Sequence, residues 1–444
     1  MVNQDGLEWI RDGLYLAPRW TKDPDTNVIA SLARQHLPGS KDNSTTSVDV
    51  KFLTESCLNK IYTVSSLYSK QKYMMRVSLP VDPHYMVSSE VATIKFMGGR
   101  TTAPVPKLGF EWMLMEMCDG VPIRKKWRKM AWEKKEEAIR QLARYQAELF
   151  GKRFEGIGNL YAVPPRGEAS HQETSTLSSL IVAVTEAKDI PSTAFTVSRI
   201  VSRLFFWKDR VNYDVPRGPF STSHEWLHTS LRLVIMESEN VINITDDEDD
   251  LEEAQDNKAV AELLLDLLPT VFPPPTDSST PEPTMLFHDN LTEHNTLVNE
   301  LGDLVPIIDW EFVSTVPLWR ACQFPGLLDG RIRAGKPVKD EYVPDECWEE
   351  PWNTDPLDNE GVTDVYWEHT MEYEVGQLRV FLDEMKKLQP DWVKVMEDEG
   401  NRFKADFERA VTFVDNEFMH LRIKRWVASV KEGHPYSLYD AMWE

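Results

Sequence analysis

From Ser47 to Met117 the hydrophobic positions fall in short β-rich and apolar runs, interrupted once by a period near 3.6. Val48 to Leu53, Lys60 to Ser65, Lys72 to Ser78 and Trp112 to Met117 read as strands. Between them, Tyr85 to Met97 sets Val87, Val91, Ile94 and Met97 on one side of a helix. The pattern predicts a small sheet carrying one helix. Beyond Gly120 helical spacing takes over. Trp132 to Phe150 brings Ile139, Leu142, Tyr145, Gln146 and Leu149 close to one stripe, and Gly151 can cap its end.

Thr174 to Asn240 alternates helical patterns with turn clusters such as Val215-Pro216-Arg217-Gly218-Pro219, which predicts a helical insertion. Asp246 to Glu253 holds seven acidic residues in eight and reads as a solvated loop held open by its own repulsion. Phe272 to Pro283 is rich in Pro, Ser and Thr and reads as a surface connector. Met371, Val375, Leu378, Leu382 and Met385 step by four and three, predicting a helix that stops before Pro390.

Met285 to Glu311 reads as strand, loop, short strand, turn and strand, ending in acid. Thr296 to Val298 and Leu304 to Ile308 are apolar, and Asn299-Glu300-Leu301-Gly302-Asp303 supplies a hairpin turn. Such a hairpin sets Asn295, just before its first strand, beside Asp309, at the exit of its second. An amide oxygen next to a carboxylate suits Mg²⁺, a hard ion that keeps water and phosphate oxygens in its remaining positions.

Composition narrows the partners. The chain has 444 residues, long enough for two cores, and 49 basic against 72 acidic residues give a net charge of −23. Its average field repels nucleic acid and anionic lipid. Cys57, Cys118, Cys322 and Cys347 are scattered, without zinc-ligand spacing, and read as free thiols of a reducing compartment. The cytoplasm is the expected location. A mitochondrial one has no Arg-rich, acid-poor leader to support it, since Met1 to Trp20 mixes Asp5, Glu8 and Asp12 with Arg11 and Arg19. No run of about 20 apolar residues predicts a membrane span. Gly330 to Pro337 imitates a phosphate-binding loop, but Pro337 occupies the hydroxyl position.

His288-Asp289-Asn290-Leu291, with Asn295 and then Ile307-Ile308-Asp309-Trp310-Glu311, resembles the catalytic and metal-binding signature of the aminoglycoside phosphotransferase family. The flank from Asp309 to Pro325 resembles its fungal-type branch, and the likeness runs from about Val48 to Gly326 with gaps. The resemblance implies an α+β, two-lobed protein-kinase-like fold, with an antiparallel-sheet N-lobe over 47–118 and a larger, mostly helical C-lobe over 119–444. Residues 1–46 form an extension, about 160–280 an insertion, and 286–311 the catalytic and metal hairpin. It implies ATP, or another nucleoside triphosphate, and Mg²⁺ as cofactors, and a small hydroxylated acceptor. An acidic protein surface is compatible with a cationic one.

By the same resemblance Asn295 and Asp309 would be metal ligands, and His288, Asp289 and Asn290 the catalytic loop. Arg76 would meet phosphate and pair with Glu90, Ser56 and Asn59 belong to the phosphate loop, and Glu116 and Cys118 to the segment that meets the base. Taken singly, Arg76 reads as a sheet-edge charge and Glu90 as a solvated helix residue. The sequence departs from the family at three places: Asn290 stands where the catalytic aspartate belongs, Arg76 replaces lysine, and Thr54 to Lys60 has no glycine. These departures imply a competing reading, a pseudokinase-like nucleotide-binding module that recruits a protein through the acidic insertion.

Overall fold

Alternation builds the first lobe. The computed structural model describes residues 4–12, 15–37, 48–66, 72–100, 108–109, 112–117, 119–163, 195–274, 281–328, 333, 335–343 and 360–442. An N-terminal hairpin, β1 (Leu7–Asp12) and β2 (Tyr15–Trp20), leads to helix α1 (Thr26–His36), whose first turn is capped by Asp25. The sheet follows with β3 (Val48–Glu55), β4 (Asn59–Ser66) and β5 (Lys72–Ser78), then helix α2 (Tyr85–Arg100), β6 (Leu108–Gly109) and β7 (Met113–Glu116). Its order is β3-β4-β5-β7-β6, with every neighbouring pair antiparallel. Tyr73, Met75 and Val77 of β5 join Ile29 and Ala33 of α1 in one core. Met74 packs on the opposite face with Ala92, Ile94 and Phe96 of α2, and alternation sends Arg76 to that same face.

The chain leaves through β7 into β8 (Val121–Pro122), α3 (Ile123–Trp127), α4 (Trp132–Phe150), β9 (Phe154–Glu155), β10 (Gly158–Ala162), β11 (Phe195–Ser198) and α5 (Arg203–Phe206). After a 3-10 turn at Arg210–Asn212 come the long helices α6 (Ser223–Ile244) and α7 (Glu248–Val271). Strands β12 (Pro283–Phe287), β13 (Thr296–Val298), β14 (Leu304–Ile307) and β15 (Ser314–Pro317) precede α8 (Leu318–Ala321). Helices α9 (Asp364–Gln377), α10 (Val380–Leu388), α11 (Pro390–Glu397), α12 (Glu399–Thr412), α13 (Glu417–Lys431) and α14 (Leu438–Ala441) complete the second lobe. A small antiparallel sheet lobe joined by one strand exit to a larger, mostly helical lobe is the two-lobed protein-kinase-like fold. No helix among the described residues is long and apolar enough to cross a membrane.

Three expectations are corrected. The acidic block is not a loop: α7 starts inside it, and the Asp247 carboxylate accepts from Asp249 N at 3.0 Å and Asp250 N at 3.1 Å. Carboxylates at a helix N-terminus meet unpaired N–H groups and the positive end of the dipole, which offsets their mutual repulsion. The run from Met371 to Met385 is two helices, because Leu378 leaves helical geometry and lets Phe381 pack edge-on against Trp392 at 5.8 Å. Gly376, in the last turn of α9, precedes the break by two residues. The insertion is not wholly helical, since β10 pairs with both β11 and β15; residues 164–194 lie outside the described residues.

One polar cluster ties the second lobe together. Arg210, 2% exposed, donates from Nε to Glu237 Oε2 at 2.7 Å and from Nη2 to Asp415 Oδ2 at 2.6 Å. Those partners come from α6 and from the turn between α12 and α13. Truncating the cation leaves two carboxylates facing each other in a desolvated site, so Arg210→Ala is expected to cost about 3–5 kcal/mol. A urea melt with unchanged slope and a lower midpoint is the expected result; a loss below about 1 kcal/mol would contradict the buried-pair account.

Candidate active site

The β13–β14 turn fixes the centre of the cleft. Thr296 pairs with Ile307 and Val298 with Leu304, while Gly302 at φ +79° turns the chain between them. Ile308 N donates to Asn295 O at 3.0 Å, so the residues flanking the two strands are held together by backbone. The chain after β14 is tightly wound, with Asp309 at φ +66° and Phe312 at φ +63°. Left-handed geometry is tolerated by aspartate but is strained for a bulky aromatic. The winding sends Trp310 into the core and leaves Asp309 and Glu311 in the lining of the cleft, which encloses about 1970 Å³.

The amides of two asparagines converge on Asp309. Asn290 Nδ2 donates to Asp309 Oδ2 at 2.6 Å, and Asn295 Nδ2 donates to the same oxygen at 3.2 Å and to Asn290 O at 3.0 Å. Presenting the Asn295 oxygen to a cation instead requires turning that amide and releasing both bonds. Asp289, beside Asn290, is exposed to the cleft yet ringed by protein. Burial pushes its carboxyl up, while Arg320 and His288 pull it back. His288 lies beneath the loop: it is buried, its Nε2 meets Ile308 O at 3.3 Å, and its ring packs edge-on against Trp310 at 4.9 Å. Burial lowers the pKa of His288, which keeps it neutral. Its geometry is that of a post supporting the loop.

Above this floor lies a carboxylate-rich cluster around one cation. Arg76 and Glu90 form a buried ion pair, 6% and 2% exposed, which replaces both the sheet-edge and the solvated-helix readings of these residues. Arg76 Nη1 also lies 3.6 Å from Glu311 Oε2, and that oxygen accepts from Asn59 Nδ2 at 3.0 Å. Burial opposes the charge on Arg76, but Glu90, Glu311 and Asp309 together more than offset it and its pKa is raised. Glu90 is pushed up to about 7 by burial, with Arg76 opposing and Glu311 adding to the push. Glu311 is raised for the same reasons. Three carboxylates share one guanidinium, an imbalance that a divalent cation would relieve.

That imbalance has a measurable sign. A folded-state pKa of about 7 against an ordinary 4.5 means that folded Glu90 keeps a proton the unfolded chain has lost. Stability is therefore fully supported below about pH 4.5 and declines as pH rises through about 7. In metal-free buffer the melting temperature is expected to fall across this window, and Glu90→Gln to flatten the fall. Equal slopes in the two proteins would contradict the assignment.

The remaining predicted residues scatter around the cleft. Ser56 and Asn59 close the β3–β4 turn, where Ser56 N donates to Asn59 O at 2.8 Å and Asn59 N to Ser56 Oγ at 3.2 Å. Hydrogen bonds, in place of glycine, shape that loop. Glu116 ends β7 opposite Tyr73, and its neighbours Met115 and Met117 line the cleft. Cys118 lies outside the described residues. Glu311 carried no role in the sequence reading, because its partners Arg76 and Asn59 lie on other strands.

Among the described residues no group of three His, Cys, Asp or Glu side chains forms a metal cluster. The donors that do meet here, carboxylates and an amide, are hard oxygen ligands suited to Mg²⁺ only when bound phosphate and water complete its shell.

No family model matches the chain. Two subtelomeric hrmA-associated cluster proteins, from two strains of Aspergillus fumigatus, are each 24% identical over 188 residues, covering 39% of this chain. The chain covers 33% of the length of these curated relatives. Choline kinase from Cryptosporidium parvum Iowa II superposes with a TM-score of 0.39 at 14% identity, covering 95% of this chain and 100% of that one. Aminoglycoside phosphotransferase APH(4)-Ia gives 0.39 at 12% identity, covering 91% and 98%. The gentamicin complex of APH(2'')-IIa gives 0.39 at 11%, covering 92% and 97%. Superpositions this loose decide neither fold nor chemistry, which rest on the strand order and the Asp309 cluster.

Proposed function

We propose that this chain is an ATP- and Mg²⁺-dependent phosphotransferase of the aminoglycoside phosphotransferase-like family, in its fungal-type branch, which moves the γ-phosphate to a hydroxyl of a small molecule. The observation that carries the reading is the convergence of Asp309, Asn295 and Glu311 on a part of the cleft where the buried guanidinium of Arg76 is outnumbered by carboxylates. Asp309, with Asn295 and Glu311, would hold Mg²⁺, which when bound would supply positive charge against the phosphate groups. Asp309 holds the negative charge that attracts the ion, and Asn295 offers an amide oxygen once its side chain turns. Arg76, kept cationic by its three acids and oriented by Glu90, contacts phosphate oxygens. Asn290 or Asp289 would orient the acceptor hydroxyl; the amide takes no proton, so as the new O–P bond forms and the bond to ADP breaks the hydroxyl proton passes to Asp289 or to solvent.

The net charge of −23 is compatible with a cationic acceptor such as an amino sugar or amino alcohol, although Glu237, Asp250, Asp256 and Glu408 of the cleft lining are already paired with Arg210, Arg11, Lys424 and Arg320. Cys57 and Cys322 are free thiols, in keeping with a reducing, cytoplasmic setting. The test is phosphate transfer from γ-labelled ATP to a panel of hydroxylated amines with and without Mg²⁺. Labelled product that depends on both the ion and the acceptor supports the reading; no ATP binding at millimolar Mg²⁺ would end it.

A second reading is favoured by one contact. Asn290 Nδ2 sits 2.6 Å from Asp309 Oδ2, so the residue at the base position donates to the ion-binding carboxylate and has no lone pair of useful basicity. In that reading the chain binds nucleotide with little or no turnover and acts as a module. ATP then raises the melting temperature by mass action while no phosphate leaves it.

A further inference from the structure

The N-terminal hairpin forms part of the wall of the cleft. Leu7, Trp9 and Arg11 project from one face of β1, opposite Trp20, Pro18 and Leu16 of β2, and Trp9, Arg11 and Leu16 line the cleft. The base of the hairpin is held by packing against both lobes. Gln4 Nε2 donates to Val81 O at 3.1 Å, Trp9 meets Trp207 edge-on at 4.7 Å, and Leu7, Trp9 and Trp20 pack with Leu58, Val81 and Phe206. The far end is held otherwise. Arg11 Nη1 lies 2.9 Å from Asp250 Oδ1 and Nη2 lies 3.1 Å from Glu253 Oε2, both on the first turns of α7 in the second lobe.

We propose that this hairpin is a clasp that spans the two lobes and gates the cleft, hinged at its apolar base and latched by Arg11 on Asp250 and Glu253. The role in catalysis rests on the phosphotransferase reading; the closure itself does not. Two features give the latch its character. The paired side chains are 51%, 44% and 36% exposed, so solvent and salt weaken each bond. Exposed pairs of this kind bias an equilibrium by about 1.4- to 5-fold each, which lets the far end release while the tryptophan base stays seated. The acidic block that starts α7 thereby acts as the catch, receiving the guanidinium that the hairpin carries to it.

The test uses the full chain, its Arg11→Ala variant and the charge exchange Arg11→Glu with Asp250→Arg. Hydrogen exchange reports the closure, and alkylation of Cys57, an exposed thiol lining the same cleft, reports access. In Arg11→Ala the amides of β1 and β2 should exchange about 5-fold faster, and a bulky maleimide should reach Cys57 faster while iodoacetamide changes little. Wild type in about 0.5 M NaCl should approach the variant, and the charge exchange should restore slow rates. Wild-type exchange and alkylation rates in Arg11→Ala would overturn the clasp. Release of Mg²⁺-mant-ADP, measured in parallel, should be faster in the variant. If that nucleotide binds to neither protein the phosphotransferase reading fails, and exchange with alkylation still decides the clasp.

Discussion

Replacing Asp309 with asparagine is expected to remove Mg²⁺-dependent ATP turnover, a loss of at least about 10²- to 10³-fold, without lowering the melting temperature in metal-free buffer. The asparagine side chain keeps the shape of aspartate and its tolerance of left-handed backbone, which the φ of +66° at this position demands. Only the charge changes. Without that charge the cluster of carboxylates around Arg76 loses the member that lies nearest Asn290 and Asn295, and the ion loses its principal attraction. Asp309→Ala should lose turnover equally but carry an added penalty of about 1–2 kcal/mol, because alanine is strained at φ > 0. Turnover retained within about 3-fold in Asp309→Asn would show that the ion, if any, is held elsewhere.

Asn290→Asp is the second large expectation, and it has two signatures. If the native loop lacks only a base, the variant gains about 10²- to 10⁴-fold in phosphate transfer, the usual worth of a positioned proton acceptor. A new carboxylate would then face Asp309 Oδ2 where an amide now donates at 2.6 Å. Two like charges at that separation repel, so the variant should melt lower than wild type without metal and recover when Mg²⁺ is added. A stability loss rescued by Mg²⁺ with no gain in rate supports the binding-module reading. No stability change at all would mean the Asn290–Asp309 contact does not form.

The first lobe was legible because β5 and β7 are short apolar runs, and once they are strands the side of the sheet that each residue takes follows from a period of two. The β13–β14 hairpin was legible for the same reason, with Gly302 marking its turn, and the adjacency of Asn295 and Asp309 follows from its register. What could not be read is long-range. The sequence assigns Asp246 to Glu253 to a loop because local charge density says so, whereas the helix end that accommodates those acids depends on Asp247 caps and on Arg11, more than two hundred positions away. The burial of Glu90 beside Arg76 likewise depends on α2 packing against the sheet, which no window around either residue reveals. Glu311 was missed because its partners, Asn59 and Arg76, lie on other strands. The triad of Arg210, Glu237 and Asp415 joins three separate segments and leaves no local trace.

The most direct measurement is anomalous diffraction from crystals grown with Mn²⁺ and a non-hydrolysable ATP analogue. The account predicts one strong manganese peak within bonding distance of an Asp309 carboxylate oxygen, with the Asn295 amide turned to present its oxygen. A peak seated elsewhere in the cleft, or nucleotide bound with Asn290 and Asn295 still donating to Asp309, would contradict it.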